Sequence, residues 1–530
     1  MFKCFQRKKN EQFLSYMENF VLPECKKGSL RFFDDAQRVF ILCSDRQMQI
    51  DIATANERLL HDISVKYLLW LSGNFRKWHD DYYSCTYCDT LSCIPNLPVY
   101  RKRYAHLTDG QYHATLKLGT FSSNGYYRQQ CMEQLWDVEG SLPYLILRMN
   151  DWVAKIREKA YELSAQRMQT CGLYEFFQSL PMLERVKNAR RRDHARIHSL
   201  ECQMQMLIRQ KFQTLPDETL DSIHTYEIQI KNAIYRFINR NQVLDRERME
   251  RLLAAERTGY GQMLLILAIF RHCGYDSQYA EKYLHAKSAV VRYHTLVFRY
   301  EKEHAAWDGL QTMLLDPSRR IRDYAGYILK KCTDIDILSF YLKELDRNIS
   351  KIALSGIGEN GTKAHVPLIV PYLHDTRETI CKAALCAYGK LAGTDGEDVY
   401  WTFLFDTRQV LARQAYRFVR KYDISYGAPR LYEAYTQNRS SFVADYLLRL
   451  LLNEPFWKRL PYLLTLCCEG ELTKFQQQTV TAGICCGYMY GNVSVQQAEV
   501  IRGLLTQCED KIPASIRKGI LFDLEHITRK

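Results

Sequence analysis

With 530 residues, 47% of them hydrophobic and 25% charged, the chain has the make-up of a folded protein and excludes wholesale disorder. Its 73 basic and 60 acidic residues leave +13, a balance that permits a polyanionic partner without demanding one. The longest apolar runs, 263–270 and 462–468, are far shorter than the ~20 residues a membrane span requires, and the basic start is followed by Glu11 and Glu18 rather than by the apolar core of a secretory signal.

Only 25 Gly and 13 Pro leave few hairpin turns, while long runs of Leu, Ala, Lys, Arg, Glu and Gln favour helix, so an all-α fold is expected. Residues 1–110 form an N-terminal helical and irregular region. It has amphipathic stretches at 11–21 and 56–71, an apolar run at 39–43, and a Tyr-, Cys- and Pro-rich loop over 75–104. In that loop Cys85, Cys88 and Cys93, with His79 upstream, are the weak candidates for a zinc site. The usual second Cys pair is absent, so free thiols or a packed loop are preferred, and neither metal nor cofactor is expected. First repeat-like helices follow over 111–172, at 124–136, 141–149 and 152–168.

Residues 173–213 break that rhythm, with one long polar helix expected over 184–213. It carries Lys187, Arg190, Arg191, Arg192 and Arg196 among eight basic residues, against three acids. Such a helix can track phosphates; the plainer reading is a solvated face, and nucleic acid is permitted but not favoured. The array resumes over 214–505, and 506–530 supplies a C-terminal helix that covers the open end. Prolines 367, 371, 429 and 461 fall near the starts of first helices of pairs, and Pro371 is expected to kink its helix. Cys381, Cys386, Cys467, Cys468, Cys485 and Cys486 lie in apolar helical stripes, where reduced Cys serves as a small hydrophobe, so a cytoplasmic location is expected.

The middle of the chain sets the architecture. Asp316, Asp346, Asp375 and Asp406 stand 30, 29 and 31 residues apart. Counting from each, apolar residues recur at offsets 5, 12 and 13, as in Ile321, Ile328 and Leu329, with a small residue at offset 9 (Ala325, Ala384, Ala415). That spacing lays one stripe along a helix, and a period of about thirty residues with two helices per unit marks an α-solenoid. The copy at Asp346 fits in looser register.

The runs beginning at Asp316 and Asp375 resemble HEAT-like repeats of the short type first described in phycobilisome lyases, and the run from Asp151 repeats the pattern. The resemblance covers the middle and most of the C-terminal half. It implies a ladder between repeats built by Asp151, Arg157, Arg292, Asp316, Arg322, Asp346, Asp375, Asp406 and Arg413. Two copies depart at offset 6, where Cys381 and Ala412 stand and the basic residue comes one position later.

Gly356, Gly358 and Gly361 match the letters of a dinucleotide fingerprint, but a repeat helix stands where a strand is required, so the glycines are expected to end that helix as a C-cap. No catalytic motif was found, and no catalytic residue is assigned. The expected function is a non-enzymatic scaffold or adaptor that holds a protein partner along the concave surface lined by second helices. The alternatives are a nucleic-acid-binding HEAT-like protein resembling alkylpurine DNA glycosylases, and a bilin-lyase-like enzyme. A glycosylase would need an unpaired Asp beside an aromatic in a basic groove, for which Asp151 and Trp152 are the candidates.

Overall fold

The computed structural model describes residues 40, 45–61, 63–74, 99–122, 124–189, 194–213, 215–469, 472–485, 491 and 493–527. Among these the fold is all-α, with no strand, and the chain divides into two compact units at Lys302 and Glu303. Helices stack in antiparallel pairs joined by short turns, the arrangement of an α-solenoid, in which each pair buries its apolar faces against its neighbours.

Among the described residues of the C-terminal unit seven pairs follow one another. The first members are the 3₁₀ turn Leu310–Leu315, helix Ile337–Arg347, the segment 363–374, and helices Glu397–Leu404, Ala428–Gln437, Phe456–Glu469 and Val495–Gln507. The second members are Arg319–Cys332, Lys351–Asn360, Glu378–Ala392, Gln409–Lys421, Ala444–Leu451, Lys474–Ile484 and Ala514–Ile527. Each first member packs on its own second member. Second members also pack on second (Lys351–Asn360 on Glu378–Ala392, and that on Gln409–Lys421), and first on first (Phe456–Glu469 on Val495–Gln507).

The aspartate register holds at atomic detail. Asp151, Asp316, Asp375 and Asp406 each accept on Oδ1 the backbone N–H two residues on, from Val153, Ser318, Arg377 and Arg408, at 2.7–3.0 Å. That closes the turn so that the second helix starts three residues after the aspartate. Offsets 5 and 9 are buried in each, as Ile321, Ala325, Leu411 and Ala415 illustrate. The looser fit at Asp346 has a simple cause. Its helix begins at Lys351, two residues late, with Ser350 as N-cap through Ala353 N–H, so Asn348 occupies the aspartate position and Ile349 is exposed.

Three expectations are corrected. The long helix over 184–213 is two: Leu173–Lys187 ends at the non-helical Asn188, and a second helix spans His194–Gln213. Lys187 is thus the last residue of the first of these helices, and Arg190 and Arg191 lie outside the described residues. Gly356 and Gly358 lie inside their helix rather than ending it; only Gly361 is the C-cap. A Cβ on Gly356 would stand 2.4 Å from the Tyr341 ring, and one on Gly358 would stand 2.6 Å from Ala387 Cα, so both glycines are there to let neighbouring helices close. Finally, Cys468 is not a reduced hydrophobe: it is bonded to Cys508, 5.4 Å away between Cα atoms. Pro371 marks a change from α to 3₁₀ geometry, with α-helix Val366–Ile369 giving way to Val370–His374, whereas Pro461 sits inside helix Phe456–Glu469. Helix Ala514–Ile527 occupies the expected terminal position, and among the described residues no helix is long and apolar enough to cross a membrane.

In the N-terminal unit the pairing is less regular. Most of its helices share one core running from Leu59 to Phe298, and a smaller cluster gathers Phe40, Ile52, Tyr104, Tyr112 and Leu135.

Candidate functional site

Charge divides the two layers of the C-terminal unit. The seven second members carry sixteen Lys and Arg against six Asp and Glu, while the seven first members carry seven of each. The asymmetry follows from helical spacing. On helix Glu378–Ala392, residues 382, 386 and 390 recur every fourth position on the side away from the buried stripe, and on helix Gln409–Lys421 residues 413, 417 and 421 do the same. The Cys386 thiol marks where these rows meet. Burial pushes its pKa up, while Lys382 and Lys390 on its own helix and Arg417 on the neighbouring one pull it down.

The strip continues across the next two second members. Arg413 Nε donates to Tyr446 Oη at 3.4 Å, Tyr446 stacks on Tyr416 at 4.9 Å between centroids, and Arg449 lies 5.3 Å over the exposed Phe475 ring. Lys382 and Arg417 are exposed and have neither an ion-pair nor a hydrogen-bond partner among the described residues. At the other end, Glu359 gathers three positive charges from the second members on either side of its own helix. Arg322 binds it with Nη2 at 2.9 Å, Lys390 reaches it at 3.2 Å and Arg319 at 3.5 Å. Arg322 and Glu359 are both nearly buried, so this pair is the inter-repeat tie at that point.

The arginines singled out in the sequence work mainly within their own turns. Arg157 Nη1 donates to the Asp151 and Trp152 carbonyls, Arg322 Nη1 to those of Asp316 and Pro317, and Arg292 Nη1 to those of Ala286 and Lys287. Each is six residues after the first carbonyl it grips. Asp375 pairs with Arg377, whose guanidinium and backbone N–H hold the carboxyl down at about 2. Asp406 pairs with Arg408, which also reaches the Asp375 carbonyl of the preceding unit at 3.5 Å. Asp346 is exposed. Glu359 and Arg408 were missed in the sequence; Glu359 had a signal, because it lies 31 residues before Lys390 and 37 after Arg322.

Asp151 does not meet the requirement for a glycosylase carboxylate. It is fully buried and bound bidentately by Arg128, through Nε at 3.0 Å and Nη2 at 2.9 Å, with Arg148 at 3.6 Å. The Arg128 guanidinium also sits 4.1 Å over the Trp152 ring. Burial, with Arg128 acting in the same direction and Asp151 opposing, brings Arg148 down to about 10. This is a buried structural cluster. Of the basic helix, Lys187 is half-buried at the end of its helix; Arg190, Arg191 and Arg192, and the side chain of Arg196, lie outside the described residues, as do His79, Cys85, Cys88 and Cys93.

No family model matches the chain, and no curated protein matches it. Among solved structures, the crystal structure of Kap121p bound to Pho4p is similar over 96% of this chain and 67% of that one, with 11% sequence identity and a TM-score of 0.31.

Proposed function

We infer that the protein is a non-enzymatic HEAT-like repeat scaffold, and that its C-terminal unit holds a protein partner on the layer formed by the second helices. The observation that carries this reading is the charge partition: two layers of similar length, one neutral and one strongly basic, with Lys382 and Arg417 left exposed and unpaired. Self-repulsion on one face destabilises a monomer slightly, and complementary charge on a partner relieves it. The regular stacking of pairs supplies the extended surface that such binding uses.

Charge placement supplies the test. Lys382→Glu with Arg417→Glu reverses two charges on the second-helix layer; Lys343→Glu with Lys458→Glu reverses two exposed charges on the first-helix layer, so net charge changes equally. Each variant and the unchanged chain are tagged and purified from native extract, and bound proteins are compared by quantitative mass spectrometry. The expected result is a protein retained by the unchanged chain and the Lys343/Lys458 variant and lost from the Lys382/Arg417 variant. Loss from both variants alike, or from neither, contradicts the assignment of the surface.

A further inference from the structure

We propose that the strip across helices Glu378–Ala392, Gln409–Lys421, Ala444–Leu451 and Lys474–Ile484 recognises an extended acidic protein segment whose carboxylates recur about every third residue. The proposal rests on the scaffold reading above and names the chemistry of its partner.

Three observations carry it. First, the strip presents cations helix by helix: Lys382, then Arg413 and Arg417, then Arg449, Lys390 being already held by Glu359 at 3.2 Å, with the acids of these four helices confined to Glu378 and Asp445 near helix starts. Asp445 is already engaged, its Oδ1 accepting from Gln476 Nε2 at 3.2 Å. The surface therefore demands negative charge from outside. Second, the spacing suits a polypeptide. Packed helices stand about 8–10 Å apart, and a chain in polyproline II geometry returns to the same side every third residue after about 9 Å. Carboxylates three residues apart thus meet cations on successive helices in register. Third, the aromatic rings along the strip each already have a partner on one side. Tyr446 stacks on Tyr416 and has the Phe442 ring at 6.4 Å, its hydroxyl accepts from Arg413, and Phe475 lies under Arg449. Single-stranded nucleic acid needs open ring faces for its bases, so these rings favour a protein segment over an oligonucleotide.

The test uses the full chain and three fluorescein-labelled probes at about 0.15 M salt, read by anisotropy. They are a peptide of repeated Glu-Ala-Pro, a peptide of the same composition with its glutamates gathered at one end, and an oligothymidylate of equal charge. The expected result is that the repeated peptide binds tightest and that Lys382→Glu with Arg417→Glu weakens it roughly tenfold or more. The Lys343→Glu with Lys458→Glu variant should bind as the unchanged chain does, and melting curves of both variants show that the fold is intact. Equal binding of the two peptides overturns the register. Tighter binding of the oligonucleotide, lost in the Lys382/Arg417 variant, overturns the protein class in favour of nucleic acid. No binding by any probe, with a protein still lost from the Lys382/Arg417 variant in extract, overturns the acidic segment and leaves the scaffold standing; failure in both experiments removes both.

Discussion

The two units use charge in opposite ways. In the N-terminal unit, charged pairs are sealed between helices: Arg128 with Asp151, Arg167 with Glu175 at 2.6 Å, and Lys231 with Glu256 at 3.0 Å, all about nine-tenths buried or more. Each also grips backbone or a neighbouring hydroxyl, as Arg128 grips the Ser122 carbonyl, Glu175 the Leu142 N–H and Glu256 the Thr258 hydroxyl. Such pairs fix which helix meets which, and removing one partner strands the other in a low-dielectric interior. In the C-terminal unit the core is mostly apolar, the Arg322–Glu359 pair being the nearly buried ion pair there among the described residues, and the excess of positive charge lies on the exposed side of the second helices. The irregular unit needs specific polar ties to define its packing. The regular unit obtains most of its packing from the repeat itself, with the Glu359 cluster as a local tie, and the exposed charges beyond that tie are free to address a partner.

The comparison breaks most sharply in the cores. Ala325 has no exposure and faces the seam of its pair, so Ala325→Arg buries an unpaired cation and is expected to cost about 4 kcal/mol or more, read by denaturant unfolding. Unchanged melting would disprove the register of the repeat. Asp151→Ala leaves Arg128 and Arg148 buried without a counter-charge and should cost about 3–5 kcal/mol; a loss below about 1 kcal/mol would show that the cluster is not what ties those helices. A smaller effect is expected at Gly358→Ala, where the added carbon meets Ala387 and pushes two second helices apart, at about 1–3 kcal/mol.

The pH dependence sharpens the contrast further. Burial raises the Glu175 pKa, but Arg167 and the Leu142 and Gly140 N–H groups outweigh it, and the carboxyl ends below its usual value. Its contribution is therefore complete above the ordinary carboxylate range and is lost as pH falls through the lowered folded-state value. Stability measured from about pH 5 downward should fall less steeply in Glu175→Gln than in the unchanged chain; identical slopes would show that this pair does not drive acid unfolding. The smallest effect belongs to the exposed strip. Lys382→Ala with Arg417→Ala should change stability by no more than about 0.5 kcal/mol per site, and a larger loss would mean that these residues hold the fold rather than face a partner.

The solenoid was legible because apolar residues at offsets 5, 9, 12 and 13 can satisfy only one helical face, and because the aspartate that starts each count makes the same local turn wherever it occurs. The shifted copy at Asp346 was legible only as a looser fit, since Asn348 replaces the aspartate and Ser350 takes over the cap. Glycine letters misled because sequence records the missing Cβ at Gly356 and Gly358 but not the Tyr341 ring and Ala387 that require it. The end of helix Leu173–Lys187 was hidden because the composition around Asn188 stays helix-favouring and polar. The basic layer was not visible as a run at all. Its residues are spread from Arg319 to Lys518 and come together only when second helices stack on second helices.

Lysine acetylation footprinting with and without the bound partner tests the central claim most directly, because it reads both layers of the C-terminal unit in one sample. The account predicts that Lys351 and Lys382, exposed on second helices, lose reactivity in the complex while Lys343 and Lys458, exposed on first helices, keep theirs. Protection of Lys343 and Lys458 with Lys351 and Lys382 still reactive would contradict it.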